Sequence, residues 1–180
     1  MKGGIFLDRD GTLIRDVHYL KDPDLLECIE GVEGALKIIK KAGYLIFLHT
    51  NQSGITRGYY ELSHVHACNE RMLQQLGLSS DFFSRICIAP EKEFSPDGYR
   101  KPSPKFEHEM ISIYKLQPEQ CWMVGDKWID VETGINSGMQ VCLVRTGKLI
   151  SKELEQKALE KNVPICSDLL EFVNGQLNLS

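Results

Sequence analysis

No apolar run in this sequence approaches the length needed to cross a bilayer, and the first one ends at Asp8, too early for the core of a secretory signal. A basic excess is missing as well. Lys and Arg number 21 against 25 Asp and Glu, for a net charge of −4, so there is no cationic stripe to attract nucleic acid or an anionic membrane. Paired cysteines are also absent. The six are scattered without a C-x-x-C spacing, and Cys87, Cys121, Cys142 and Cys166 lie inside apolar runs, as small core side chains do. Together these absences predict a cytoplasmic protein with reduced thiols and no membrane partner.

What the sequence does contain is an ordinary globular composition, 42% hydrophobic and 26% charged over 180 residues, enough for one domain spanning 1–180. Short apolar runs without polar alternation recur at Ile5–Leu7, Tyr44–Leu48, Ile86–Ala89, Cys121–Val124 and Met139–Val144. Runs of this kind read as strands buried on both faces. Helical spacing lies between them, over Gly31–Lys41, Glu61–Leu76, Ser103–Tyr114, Lys152–Lys161 and Asp168–Val173, and Val163–Cys166 reads as a small edge strand. Strands alternating with helices predict an α/β fold, a doubly wound parallel sheet with helices on both faces.

The strand ends carry the chemistry. The first run stops at Asp8-Arg9-Asp10-Gly11-Thr12, the second at His49-Thr50-Asn51-Gln52-Ser53, and the fourth at Gly125-Asp126-Lys127; Lys101 lies in the loop after the third. In a parallel sheet these points share one edge, the edge where ligands bind. Two carboxylates one residue apart repel unless a cation lies between them or one is protonated. The set suits phosphoryl transfer. Asp8 is placed to attack phosphorus and form an aspartyl-phosphate. Asp10 would protonate the leaving oxygen and then deprotonate the water. Oxygen ligands from Asp8, Asp126 and the Asp10 backbone suit Mg²⁺, while Thr50, N–H groups near Asn51, and Lys101 would hold the phosphoryl oxygens.

These residues resemble the haloacid dehalogenase (HAD) phosphatase superfamily. Asp8-x-Asp10-Gly11-Thr12, Thr50, Lys101 and Gly125-Asp126-x-x-x-Asp130 match its four motifs in order. A narrower resemblance is to the D-glycero-D-manno-heptose 1,7-bisphosphate phosphatases and the related histidinol-phosphate phosphatases. It is carried by Phe6–Thr12, Thr50–Ile55 with Arg57-Gly58, Arg100-Lys101-Pro102, Val124–Lys127 and Arg145-Thr146-Gly147. The resemblance implies a Rossmannoid HAD-like fold and Mg²⁺ at Asp8, Asp10 and Asp126. It also implies substrate contacts at Asp16, His18 and Tyr19, at Asn51, Gln52 and Ser53, and at Arg57, Arg100 and Lys127. Asp130 is left with two readings, a carboxylate orienting Lys127 or a metal water, or a helix-surface acid.

Two departures from that family stand out. Its zinc-binding loop of three cysteines and one histidine is replaced here by Ile88–Tyr99, a shorter loop with neither residue type, so no zinc is expected. Its Pro-Gly-Met after the third-motif lysine becomes Pro104-Lys105-Phe106. The spacings from Thr12 to Thr50 and from Thr50 to Lys101 leave no room for a cap domain, which predicts a capless enzyme acting on a small phosphorylated substrate as a monomer or weak oligomer. A polynucleotide 3′-phosphatase is a second reading, opposed by the acidic balance. A receiver-like phospho-switch is a third, opposed by Asp10, which would speed loss of the phosphate. His49, His64, His66 and Trp128 read as packing or surface residues.

Overall fold

The computed structural model describes residues 3–179. Its core is one parallel sheet of six strands: β1 (Gly4–Leu7), β2 (Leu45–Asn51), β3 (Arg85–Ala89), β4 (Trp122–Gly125), β5 (Gln140–Val144) and β6 (Ile165–Cys166). The strand order is β3-β2-β1-β4-β5-β6, with every neighbouring pair parallel. Among the described residues six α-helices follow the strands: α1 (Val32–Lys41), α2 (Leu62–Gln75), α3 (Lys105–Tyr114), α4 (Trp128–Asn136), α5 (Lys152–Glu160) and α6 (Leu169–Gly175). No helix among the described residues is long and apolar enough to cross a membrane.

Successive strand residues point to opposite faces, so a strand apolar throughout must bury both. One face takes Ile5, Leu7, Ile46, Leu48 and Val124 into a core shared with residues of α1, α2 and α6. The other takes Phe6, Phe47, Met123, Val141 and Leu143 into a core with residues of α3, α4 and α5. All six cysteines are free thiols, and all but the half-buried Cys28 are buried.

The element boundaries follow pairing and loop demands. β2 runs three residues beyond its apolar run, through Asn51, because His49, Thr50 and Asn51 pair with Cys87, Ile88 and Ala89. Thr50 is therefore a strand residue rather than a turn residue. α3 begins at Lys105 rather than Ser103, since the Ser103 hydroxyl is used in the loop, donating to the Gly98 carbonyl at 2.7 Å. The β1–β2 and β2–β3 connections each hold a single α-helix.

Phe47 is fully buried, stacked on Phe6 at 4.5 Å between ring centroids and met edge-on by Phe106 and Tyr114. Phe47→Ala is expected to destabilise the fold by about 3–5 kcal/mol. An unchanged urea midpoint would contradict this account of the second core.

Candidate active site

The strand order reverses between β1 and β4, and the crevice of a doubly wound sheet opens at that point. Asp8 directly follows β1 and is fixed there by its backbone N–H, which donates to the Val124 carbonyl of β4 at 3.0 Å. The chain then reverses. Gly11 takes φ of 95°, a conformation side chains resist, and a Cβ there would meet the Asp126 carboxylate at 2.4 Å.

Lys101 lies at the centre of the acid cluster. Its ammonium, only 2% exposed, donates to Asp8 Oδ1 at 2.8 Å and to Asp130 Oδ1 at 2.6 Å. Burial alone would raise the Asp8 pKa, but the charges of Lys101 and Lys127 overcome it and hold Asp8 below the usual carboxylate range. Asp8 is therefore an ionised, desolvated carboxylate, as an attacking nucleophile must be. Asp130 goes the other way, raised by its own burial despite Lys101. Its second oxygen accepts from the Lys127 backbone N–H at 3.0 Å, capping α4. Asp130 is thus no surface acid. It holds the ammonium of Lys101 and the backbone, not the ammonium, of Lys127.

A cation position is built into the same edge. Asp8, Asp126 and Asp130 bring ligand atoms within 4.8 Å of one another, but both Asp130 oxygens are already engaged. The remaining oxygens converge on the ammonium of Lys127: Asp126 Oδ1 at 3.2 Å, the Asp10 carbonyl at 3.2 Å and Asp8 Oδ2 at 4.0 Å. Those are the three donors expected for Mg²⁺, and a positive charge already stands among them, so the donor set fits the ion. Burial and then the neighbouring Asp8 charge push Asp126 up to about 7, the mark of acids crowded without enough countercharge. Asp126 Oδ2 is fixed by the Lys148 N–H at 2.8 Å, and a Cβ on Gly147 would collide with it at 2.1 Å.

Asp10 is held from three sides. The buried Arg9 guanidinium forks onto it at 3.0 and 3.1 Å, Gln52 Nε2 donates at 3.0 Å and the Thr50 hydroxyl at 3.2 Å. Arg9 also reaches Asn69 of α2 at 2.9 Å, and the Tyr60 hydroxyl fixes Gln52 at 2.7 Å. A proton shuttle needs such fixed aim at the reacting oxygen.

An open cleft of about 250 Å³ lies against this cluster. Asp10, Asp16, His18, Tyr19, Asn51, Gln52, Ser53 and Lys127 all line it, together with Tyr60 and Lys148. Arg57 is exposed on the turn after β2, and the Arg100 guanidinium donates to the Glu91 carbonyl at 3.2 Å; neither lines the cleft. Asn51 also has a second task, bonding the Lys101 backbone on both sides at 3.0 and 3.3 Å. Tyr19 adopts φ of 53°, unusual for a bulky residue, with its ring 4.2 Å from His18 and 4.6 Å from Tyr59.

The structure adds Arg9, Asn69, Tyr60 and Lys148 to the residues expected at the site. Arg9, standing between two acids at a buried strand end, was the readable signal, since a charge there must be paired. His49 is not merely a packing residue: it is fully buried and shares a 2.6 Å hydrogen bond with the equally buried Glu107. Trp128 keeps its packing role, with the Lys157 ammonium 4.1 Å above its ring.

Residues 5–134 match the polynucleotide kinase 3 phosphatase family, and residues 98–172 the HAD-hydrolase-like family. With the sheet and the acid–lysine cluster described above, the chain belongs to the HAD-like phosphatases. Among the named relatives is the D-glycero-beta-D-manno-heptose-1,7-bisphosphate 7-phosphatase of Haemophilus ducreyi, 38% identical over 96% of this chain and 99% of its own. The Haemophilus influenzae enzyme of the same name is 38% identical over 86% and 88%. Among solved structures, the D,D-heptose 1,7-bisphosphate phosphatase of B. bronchiseptica, complexed with magnesium and phosphate, superposes with a TM-score of 0.83 at 26% identity, covering 99% of both chains.

Burial alone would strip the proton from His49, but Glu107 more than offsets it and the pKa is pushed up to about 10 from 6.5. The stability this contributes is complete below 6.5 and is lost as pH rises through about 10. The urea midpoint should therefore fall between pH 7 and 10, and a His49→Leu/Glu107→Leu double variant should flatten that slope. Equal slopes would contradict a charged His49.

Proposed function

We propose that the chain is a cytoplasmic, Mg²⁺-dependent phosphomonoesterase that removes the 7-phosphate of D-glycero-D-manno-heptose 1,7-bisphosphate through an aspartyl-phosphate. The observation that carries the chemistry is the division of labour between two carboxylates at the end of β1. Asp8 is held ionised by a buried ammonium, and Asp10 is aimed at the cleft by Arg9, Gln52 and Thr50. The substrate is supported by the similarity to heptose-bisphosphate phosphatases over nearly the whole chain.

In this reading an Asp8 oxygen attacks phosphorus in line. The bond from phosphorus to the ester oxygen breaks, and Asp10 gives that oxygen its proton. Asp10 then takes a proton from water as the water attacks the aspartyl-phosphate, releasing phosphate and restoring Asp8. Lys101 and Thr50 neutralise and orient the non-bridging oxygens. Asp8, Asp126 and the Asp10 carbonyl would hold Mg²⁺, which would supply further charge neutralisation when bound. Asp16, His18, Tyr19, Ser53 and Lys127 line the space left for the sugar and its second phosphate.

A second reading, a 3′-phosphorylated polynucleotide, is favoured by the family match over residues 5–134. Phosphate release from heptose bisphosphate, histidinol phosphate and a 3′-phosphorylated oligonucleotide separates these substrates. Heptose bisphosphate is expected to dominate and to lose all turnover in EDTA. Preference for the oligonucleotide, or turnover insensitive to EDTA, would overturn the proposal. Asp8→Asn should abolish turnover in a folded protein. Asp10→Asn should slow it by roughly 10²–10⁴-fold and leave acid-stable phosphate on the protein after quenching.

A further inference from the structure

Lys101 must lie between two carboxylates at under 3 Å, yet the segment that carries it, residues 90–104, has no regular secondary structure, and residues 92–97 are exposed. Within it, Glu91 accepts from the Tyr99 N–H at 2.8 Å and Ser103 donates to the Gly98 carbonyl. Those bonds stay inside the segment. Two side chains reach it from the sheet, and both belong to β2. Asn51 grips the Lys101 backbone, and His49 Nε2 meets the Tyr99 carbonyl at 2.8 Å.

The His49 bonds define its state. The Tyr99 carbonyl only accepts, and a Glu107 carboxylate likewise, so a ring that satisfies both carries a proton on each nitrogen. Glu107 comes from α3, which follows the segment, so one imidazolium ties the strand before it, the helix after it and the segment itself. The other Glu107 oxygen has no hydrogen-bond partner among the described residues, so the carboxylate's recorded bond is the one to His49. Phe106 closes the ring in at 5.2 Å, and His49 is the donor the structure records on the Tyr99 carbonyl.

We propose that His49, with Glu107, is a positioning residue of the phosphatase: it fastens Tyr99 to β2 so that Lys101, two residues on, arrives between Asp8 and Asp130. Without that donor the Tyr99 carbonyl must turn to water, carrying the backbone of Lys101 with it. Misplacement by about 1 Å is enough to cost on the order of 10²-fold in rate. The proposal rests on the phosphatase reading only for its kinetic readout.

The test compares two double variants with a neutral partner, His49→Gln/Glu107→Gln and His49→Asn/Glu107→Gln. A Gln amide reaches the place of Nε2 and can still donate to Tyr99; an Asn amide stops at the place of Nδ1 and cannot. The Gln variant is expected to keep kcat within about threefold. The Asn variant is expected to lose about tenfold or more in kcat with KM changed less than threefold, and to exchange amide hydrogens faster across residues 95–103. Equal kcat and equal exchange in the two variants would overturn the proposal. Hydrogen exchange needs no substrate, so it decides even if no phosphoester tested is turned over. If neither variant folds, the wild-type protein decides: ring nitrogen shifts at pH 8 must show both His49 nitrogens protonated, and a neutral ring overturns the proposal.

Discussion

Everything at the working edge of this sheet depends on one buried ammonium. Asp8 and Asp130 are both removed from water, and two such carboxylates facing each other would not both stay ionised. Lys101 between them removes the conflict and leaves Asp8 charged. Opposite demands converge on one atom. The lysine must be buried to be strong, and it arrives from the loop after β3 to meet Asp8 at the end of β1 and Asp130 in the first turn of α4. The surrounding architecture follows from this, from the bonds of Asn51 and His49 to the space left by Gly125, where a Cβ would strike Asp130 at 2.2 Å.

The sheet was legible because its strands are apolar on both faces, a pattern that only helices on both sides can bury. The strand-end acids were legible for the same reason: a charge that interrupts such a run needs a partner. Asp8, Asp10, Thr50, Lys101 and Asp126 could be placed at one edge from order and topology alone. The partners themselves were not legible. That Asp130 would hold Lys101 rather than the Lys127 side chain depends on where a loop 29 residues upstream returns, and no local pattern encodes that. His49 and Glu107 lie 58 residues apart, on a strand and a helix that each look ordinary in isolation.

Arg9 shows how much of the site lies beneath the visible chemistry. Its guanidinium is 1% exposed, touches no part of the cleft surface, and still fixes Asp10 while reaching back to Asn69 on α2. A helix on the far side of one core layer is thereby coupled to the aim of a carboxylate. The same logic connects Tyr60 through Gln52.

The aromatic wall of the cleft follows a different rule. His18 and Tyr19 line the cleft, and Tyr59 backs Tyr19 from outside it; the three meet through ring faces and edges rather than through sheet hydrogen bonds. The floor that handles phosphorus is thus welded into the strands, while the wall that meets the rest of the substrate is attached to it almost as a separate part. A lineage could replace that wall and inherit a new substrate without relearning how to break the bond.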